Sequence, residues 1–222
     1  ILFMKKREVK LRQVVGKRRK RKHVQRRGNI RRESLLRTAE ELLNEIAIEE
    51  LSFREISSKA GVPEGSAYHF FANRYDLLSA LSSEIAEQFG MGFLRPIPQE
   101  EISSWHDLVD ILSDRARSMY ESNPAAAKIW LSGRTPAEVR LAERDGSNRV
   151  SNIIEGIFNS HFILPNLPKN VDVFFLYMEV SDVVNSLSYI EYGRITDEMN
   201  EEVKRVGKGY LSTYLPSILE RR

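Results

Sequence analysis

The sequence predicts an all-α protein: an N-terminal three-helix unit of helix-turn-helix form, followed by a larger helical body. Three observations predict it. Apolar residues recur at helical spacing through most of the chain. No β-rich run, internal repeat or low-complexity tract is evident beyond a basic N-terminal arm. The stretch AGVPEGSAYHFFANRYDLL (60–78) sets helix-weakening Gly, Pro and Ser directly before Tyr, His and two Phe. Such a stretch suits a short element presented on a rigid support better than a core helix or a flexible loop.

The elements follow in order. From Arg31, the residues Leu35, Leu36, Ala39, Leu42, Leu43 and Ile46 form the stripe of an amphipathic helix. A second helix opens in LSFREISSKAG, with Ser52 as N-cap and Glu55 three residues on as the partner of a capping box. Ile56 and Ala60 are placed inward, and Gly61 ends the helix where a left-handed residue is wanted. A third, short helix is predicted over Pro63–Phe71, with Pro in its first turn. A fourth starts near Asn73 and runs to about Phe93, with Leu77, Leu78, Leu81, Ile85 and Phe89 inward, before RPIP (95–98) stops it. Helices two and three, joined by a tight Gly turn, make a helix-turn-helix. That geometry also occurs in proteins that never touch DNA.

Further helices are predicted over 103–123, capped by Ser104, and over 123–133, with Pro in the first turn and Gly after the end. Residues 136–164 read as one broken or two consecutive helices. Two long helices, 171–191 and 197–219, are joined by YGRIT.

At 222 residues, with 41% hydrophobic and 29% charged, the chain has enough apolar residues for a real core. There is no run of eighteen apolar residues, so no membrane partner is expected, and the Ile-Leu-Phe opening is too short for a signal peptide. Cysteine is absent, which excludes disulfides and thiolate chemistry and fits a cytoplasmic protein. The net charge of +3 conceals an asymmetry: the first 32 residues hold fifteen Lys and Arg against one acid, Glu8. The remainder holds nineteen basic and thirty acidic residues. A basic arm (1–30, densest at KRRKRK, 17–22) on an acidic body points to a polyanion, adding affinity rather than specificity. A solvated tail is the alternative.

REISSKAGV (54–62), PEGSAYHFF (63–71) and NRYDLL (73–78) carry a resemblance to the tetracycline-repressor (TetR) family of transcriptional regulators. The family pattern is a capped helix ending Ala-Gly-Val, small residues before Tyr-x-x-Phe, then Lys and acidic-Leu-Leu. The layout of 177–205 is also similar to such regulators. Departures are Pro63 where a small hydroxyl residue is common, Glu64 at a position that often faces bases, Arg74 for Lys and Tyr75 for an acid. The resemblance implies three parts: the arm (1–30), a DNA-binding domain (31–76) and a ligand-binding and dimerisation domain (77–222).

The resemblance, with helix position, places Arg54, Glu64, Gly65, Ser66 and His69 near base edges of a double-stranded operator. Tyr68, Arg74 and Ser52 are placed at phosphates. Packing in the three-helix core is the alternative for Tyr68 and His69; Phe71 is predicted to be core. Glu64 can accept a hydrogen bond from cytosine. In the body, Phe175, Met178, Asp182, Asn185 and Tyr189 share a helix face, so Asp182 and Asn185 stand inside an aromatic stripe. Unpaired there they would be costly, and they suit orienting a polar group of an otherwise apolar ligand. An interface or an Arg partner for Asp182 is the alternative. Met119, Trp130, Phe158 and Phe162 are further candidate walls, or simply core.

Val203, Val206, Tyr210, Leu211, Tyr214 and Ile218, with Gly207 and Gly209, predict pairing of the last two helices in a homodimer, or packing within the chain. His106, Asp110 and Asp114 share a face but suit solvent better than a metal. No catalytic spacing or phosphate loop is present, so neither an enzyme nor a cofactor is expected. The function implied is a ligand-responsive regulator, most plainly a repressor released from a near-palindromic operator by a small, mainly apolar effector of unknown identity. A protein that recruits or blocks a partner on DNA without sensing a ligand is the second reading.

Overall fold

The computed structural model describes residues 26–222, the side chains of 141–143 and 145 excepted. Most of the basic arm, KRRKRK included, therefore lies outside the described residues. The described chain is helical: α1 (26–45), α2 (Phe53–Lys59), α3 (Glu64–Ala67), α4 (Arg74–Phe93), α5 (Trp105–Ser122), α6 (Pro124–Trp130), α7 (Ala137–His161), α8 (Val173–Tyr192) and α9 (Asp197–Leu211). A single 3-10 turn at Gln99–Glu101 joins α4 to α5.

Local chemistry sets most helix starts. The Ser52 Oγ accepts the Glu55 N–H at 3.1 Å, so that half of the expected capping box is formed. Asn73 Oδ1 accepts from the N–H groups of Tyr75 and Asp76. At α5 the Asp107 carboxylate accepts from the N–H groups of Ser103 and Ser104. Asn123, Asp172 and Thr196 cap α6, α8 and α9 in the same way. Gly61 has φ +64° and turns the chain between α2 and α3, a conformation that costs a Cβ-bearing residue about 1–2 kcal/mol.

α1 to α3 and the first turns of α4 enclose a small core in which Leu35, Leu43, Leu51, Ile56, Leu77 and Leu78 are fully buried. Phe71 belongs to it, at 5% exposed. The body continues this core: α4 lies along α7, and α9 lies between α8 and α5.

Four boundaries differ from expectation. α1 reaches back at least to residue 26, into the segment assigned to the arm. α3 is a single turn, Glu64–Ala67, with Pro63 outside it as the capping residue and Tyr68–Phe70 in turn geometry. A tilted contact of the Tyr68 ring with Phe53, ring centres 4.7 Å apart, accompanies this early end. α7 is unbroken from Ala137 to His161. α9 ends at Leu211 rather than near 219, and Pro216, which disfavours helical geometry at Leu215, bars its continuation to the expected end. The chain then turns back across the body. Ile163 N–H donates to Glu220 O, Arg222 N–H to His161 O, and Trp105 Nε1–H to Pro216 O.

The stripe on α9 also divides. Val203, Gly207 and Leu211 are buried within the chain, and a Cβ on Gly207 would lie 2.6 Å from the Tyr177 ring. Gly207 thus serves contact with α8 and α5. Ile218 is 85% exposed beyond the helix.

Candidate nucleic-acid interface and effector cavity

At the N-terminal end, α2 and α3 meet at the Gly61 turn. Val62 is buried between them and Ala67 seats α3 on the core. The residues left outside include Ser52, Arg54, Glu64, Gly65, Tyr68 and His69, all exposed, with Ser66 half-buried. A Cβ built on Gly65 meets no protein atom within 4 Å, so the room beside it is open to the exterior. Tyr68 combines the two sequence alternatives: its ring rests on Phe53 while half its surface stays exposed.

Arg74 is half-buried and held by the protein's own backbone. Its Nη1 donates to the carbonyls of Glu49 (3.2 Å) and Leu51 (3.1 Å), and its guanidinium lies 5.0 Å from the Tyr75 ring centre. This Arg pins the α1–α2 loop to α4. Lys59, exposed at the end of α2, is a basic neighbour that sequence reasoning passed over.

The body holds a half-open cavity of ≈ 830 Å³ between α4, α5, α6, α7 and α8, with Val203 of α9 also on its lining. That volume falls in the range of about 300–1,000 Å³ typical of small-molecule sites. Of the candidate walls, Trp130, Phe175, Met178, Asp182 and Asn185 line it. Met119, Phe158, Phe162 and Tyr189 do not: Phe158 packs on Phe174 at 5.1 Å, and Phe162 is 1% exposed in the core.

Sequence reasoning missed the walls supplied by other helices. Ser82, Ala86, Phe89 and Phe93 come from α4, Ala116 and Tyr120 from α5, and Arg140 and Arg144 from α7. Their 3–4 residue spacing on α4 was visible, but it is also the spacing of a core face. Phe89, Tyr120 and Trp130 form an edge-on aromatic cluster, with ring centres 4.9–6.2 Å apart. Trp130 Nε1–H donates to Ser82 Oγ at 2.8 Å, tying α6 to α4.

Asp182 stands beside that cluster. Its Oδ1 accepts from the Tyr120 hydroxyl at 3.0 Å and from Asn185 Nδ2 at 3.3 Å. Burial raises its pKa to about 6; the Asn185 and Tyr120 hydrogen bonds oppose the rise and nearby Glu179 adds to it. Glu179 is itself raised by burial, with Arg144 opposing. Burial likewise raises the Tyr177 phenol.

No group of three or more His, Cys, Asp or Glu residues able to hold a metal occurs among the described residues. His106 is stacked on Trp105 at 3.8 Å, while Asp110 and Asp114 pair with Lys208 and Lys204. No described helix is long and apolar enough to cross a membrane.

The described residues thus pair an exposed helix-turn-helix with a hollow helical body. Residues 35–81 match the bacterial regulatory proteins of the tetR family. Over that segment the chain is similar to the regulators of that family. It is similar to an HTH-type transcriptional repressor of Mycobacterium tuberculosis, 26% identical over 144 residues, which are 63% of this chain and 51% of that protein. The alignment thus spans about half the length of that relative. It is also similar to the HTH-type regulator BetI of Escherichia coli (25% over 131 residues; 57% of this chain, 67% of that one). To the class C tetracycline repressor of Escherichia coli it is 40% identical over 55 residues, 25% of each chain. In fold it resembles a TetR-family regulator from Streptomyces coelicolor, with a TM-score of 0.66 at 21% identity, covering 83% of this chain and 99% of that one. A TetR regulator from Rhodococcus sp. RHA1 gives 0.63 at 19% identity, covering 82% and 96%.

Proposed function

We propose that the protein is a homodimeric repressor that leaves a near-palindromic operator when a small, mainly apolar effector enters the cavity. One observation carries this reading: α4 is shared by both sites. Its first turns place Leu77, Leu78 and Leu81 in the core beneath the helix-turn-helix, and its later turns place Ser82, Ala86, Phe89 and Phe93 on the cavity wall. A ligand that prefers one setting of α4 therefore biases the placement of α3, and differential affinity is all that release requires. α6 supports the same coupling. Asn123 donates to Glu40 and Lys128 to the Ile46 carbonyl, both on the DNA-binding side, while Ile129 and Trp130 line the cavity.

The dimer reading rests chiefly on α8. Leu176, Val183, Leu187 and Ile190 are exposed, and with half-buried Val180 they repeat at the 4-3-4-3 spacing of a helix-pairing seam. Such a dimer would present two α3 helices to half-sites about 34–36 Å apart. Arg54, Glu64, Gly65, Ser66 and His69 would face bases, with Ser52 and Tyr68 at phosphates. Arg74 would act by fixing the loop that carries Ser52.

The test is binding selection on fragmented host DNA at near-physiological salt, with sedimentation of the free protein. The expected result is a dimer retaining an inverted-repeat motif near a few promoters. Retention without a motif, weakened by salt alike for all sequences, would overturn the reading.

A further inference from the structure

We propose that the effector of this cavity is cationic: a protonated amine or quaternary ammonium on an apolar body, with its charge seated between Asp182 and the aromatic cluster. The proposal rests on the effector reading above and names the chemistry of the same site.

Asp182 accepts both of its hydrogen bonds on Oδ1, and Oδ2 accepts none among the described residues. Its donors, Tyr120 and Asn185, are neutral, and among the described residues the charged group that bears on it is a second acid, Glu179. A half-buried carboxylate that faces the cavity with no cationic partner among the described residues is only partly offset by neutral donors. A ligand cation is the group that would complete its pairing. The walls beside it suit such a cation. Phe89, Tyr120 and Trp130 present their rings within one cluster, and Tyr120 touches the carboxylate itself. Aromatic faces attract Arg, Lys or ligand ammonium groups, more strongly when desolvated.

The two arginines on the lining do not reverse this charge preference. Arg140 and Arg144 are exposed residues of α7, and Arg144 is the charge that opposes the rise at Glu179. Solvent-exposed cations are screened where an enclosed carboxylate is not. The body beyond residue 32, with thirty acidic against nineteen basic residues, also draws cations towards it.

The groups whose ionisation the site feels are Asp182, Glu179 and Tyr177 on α8, Tyr120 on α5, and Arg140 and Arg144 on α7. Of these, the carboxyls of Asp182 and Glu179 are both raised by burial. Cation binding should therefore weaken as pH falls through about 6 at Asp182, while a neutral ligand should not notice.

The test is calorimetric titration of the full chain with three ligands of one tail: octyltrimethylammonium, octanol and octanoate. The expected result is that the cation binds about tenfold tighter or more than octanol, with octanoate weakest. Asp182→Asn keeps the shape and the Tyr120 hydrogen bond, and should bring the cation down to the level of octanol. Equal binding of cation and alcohol, or a preference for octanoate, would overturn the cationic class while leaving the effector cavity intact. A cation preference unchanged in Asp182→Asn would overturn the role of that carboxylate. Binding of none of the three would count against the cavity reading as well.

Discussion

The two ends of the molecule are built on opposite packing principles. Around α1 to α3, Leu35, Leu43, Leu51 and Ile56 are fully buried in a small filled core, and the polar residues are outside. In the body, α4 to α8 line ≈ 830 Å³ of open volume whose wall carries the carboxylates of Asp182 and Glu179, the Asn185 amide and several aromatic rings. On the proposed reading, the DNA-reading end has to hold one shape, because a displaced α3 would lose every base contact at once. A body that sensed a ligand would need two shapes close in free energy, and an unfilled interior keeps a second arrangement within reach.

The largest expected effect breaks the filled end. Ile56→Ala should cost about 2–5 kcal/mol and abolish specific DNA binding, read by thermal unfolding and gel shift. Gly207→Val tests the filled part of the body: the Cβ would meet Tyr177 at 2.6 Å, and a loss of about 1–3 kcal/mol is expected. Ala116→Leu puts comparable extra volume into the hollow instead. It should change stability by less than about 1.5 kcal/mol while removing ligand response, because the space to receive it exists.

Asp182→Asn sharpens the comparison through pH. A carboxyl raised in the folded state holds its proton longer there than in the unfolded chain, so stability contributed by that proton declines as pH rises towards 6. The variant should lose this decline and be more stable at pH 7, by roughly 1–3 kcal/mol, in denaturant titrations at pH 4.5 and 7. The smallest effect belongs to Ser52→Ala, about 1 kcal/mol from the lost cap of α2, with a measurable fall in operator affinity if Ser52 also meets a phosphate.

Much of the fold was legible because amphipathic helices announce themselves one element at a time. The stripe Leu77, Leu78, Leu81, Ile85, Phe89 marks the buried face of α4 without help from any other segment. Capping residues did the same for Ser52, Asn73 and Ser104. The misread ends have local causes. Tyr214, Leu215 and Ile218 continue a helical spacing beyond Leu211, and only Pro216 marks the break. By sequence, residues 136–164 read as one broken or two consecutive helices, yet α7 runs unbroken through Gly146, because a helix packed along α4 absorbs the weak propensity of one glycine.

The cavity was legible in part. The polar pair Asp182 and Asn185 is conspicuous within an apolar stripe, and both line the space. Phe158 and Phe162 have the same composition and spacing as a wall, but they are core, since an aromatic residue on a buried face carries no mark of whether atoms or emptiness lie opposite. Volume between five helices is a property of their mutual arrangement, which no single stripe encodes. Arg74 shows the converse: its charge suggested a phosphate, and its reach to two loop carbonyls depends on a turn 23–25 residues earlier.

The placement of the two tryptophans has an optical consequence. Trp105 is fully buried, its indole N–H held by the Pro216 carbonyl, whereas Trp130 lines the cavity with its N–H on Ser82. One indole is sealed from small solutes and the other faces the space an effector would fill. Emission from Trp105 should therefore follow unfolding, and the component from Trp130 should respond to occupancy. A Trp105→Phe variant would leave a single chromophore in the cavity, able to follow its filling in the intact protein without any added label.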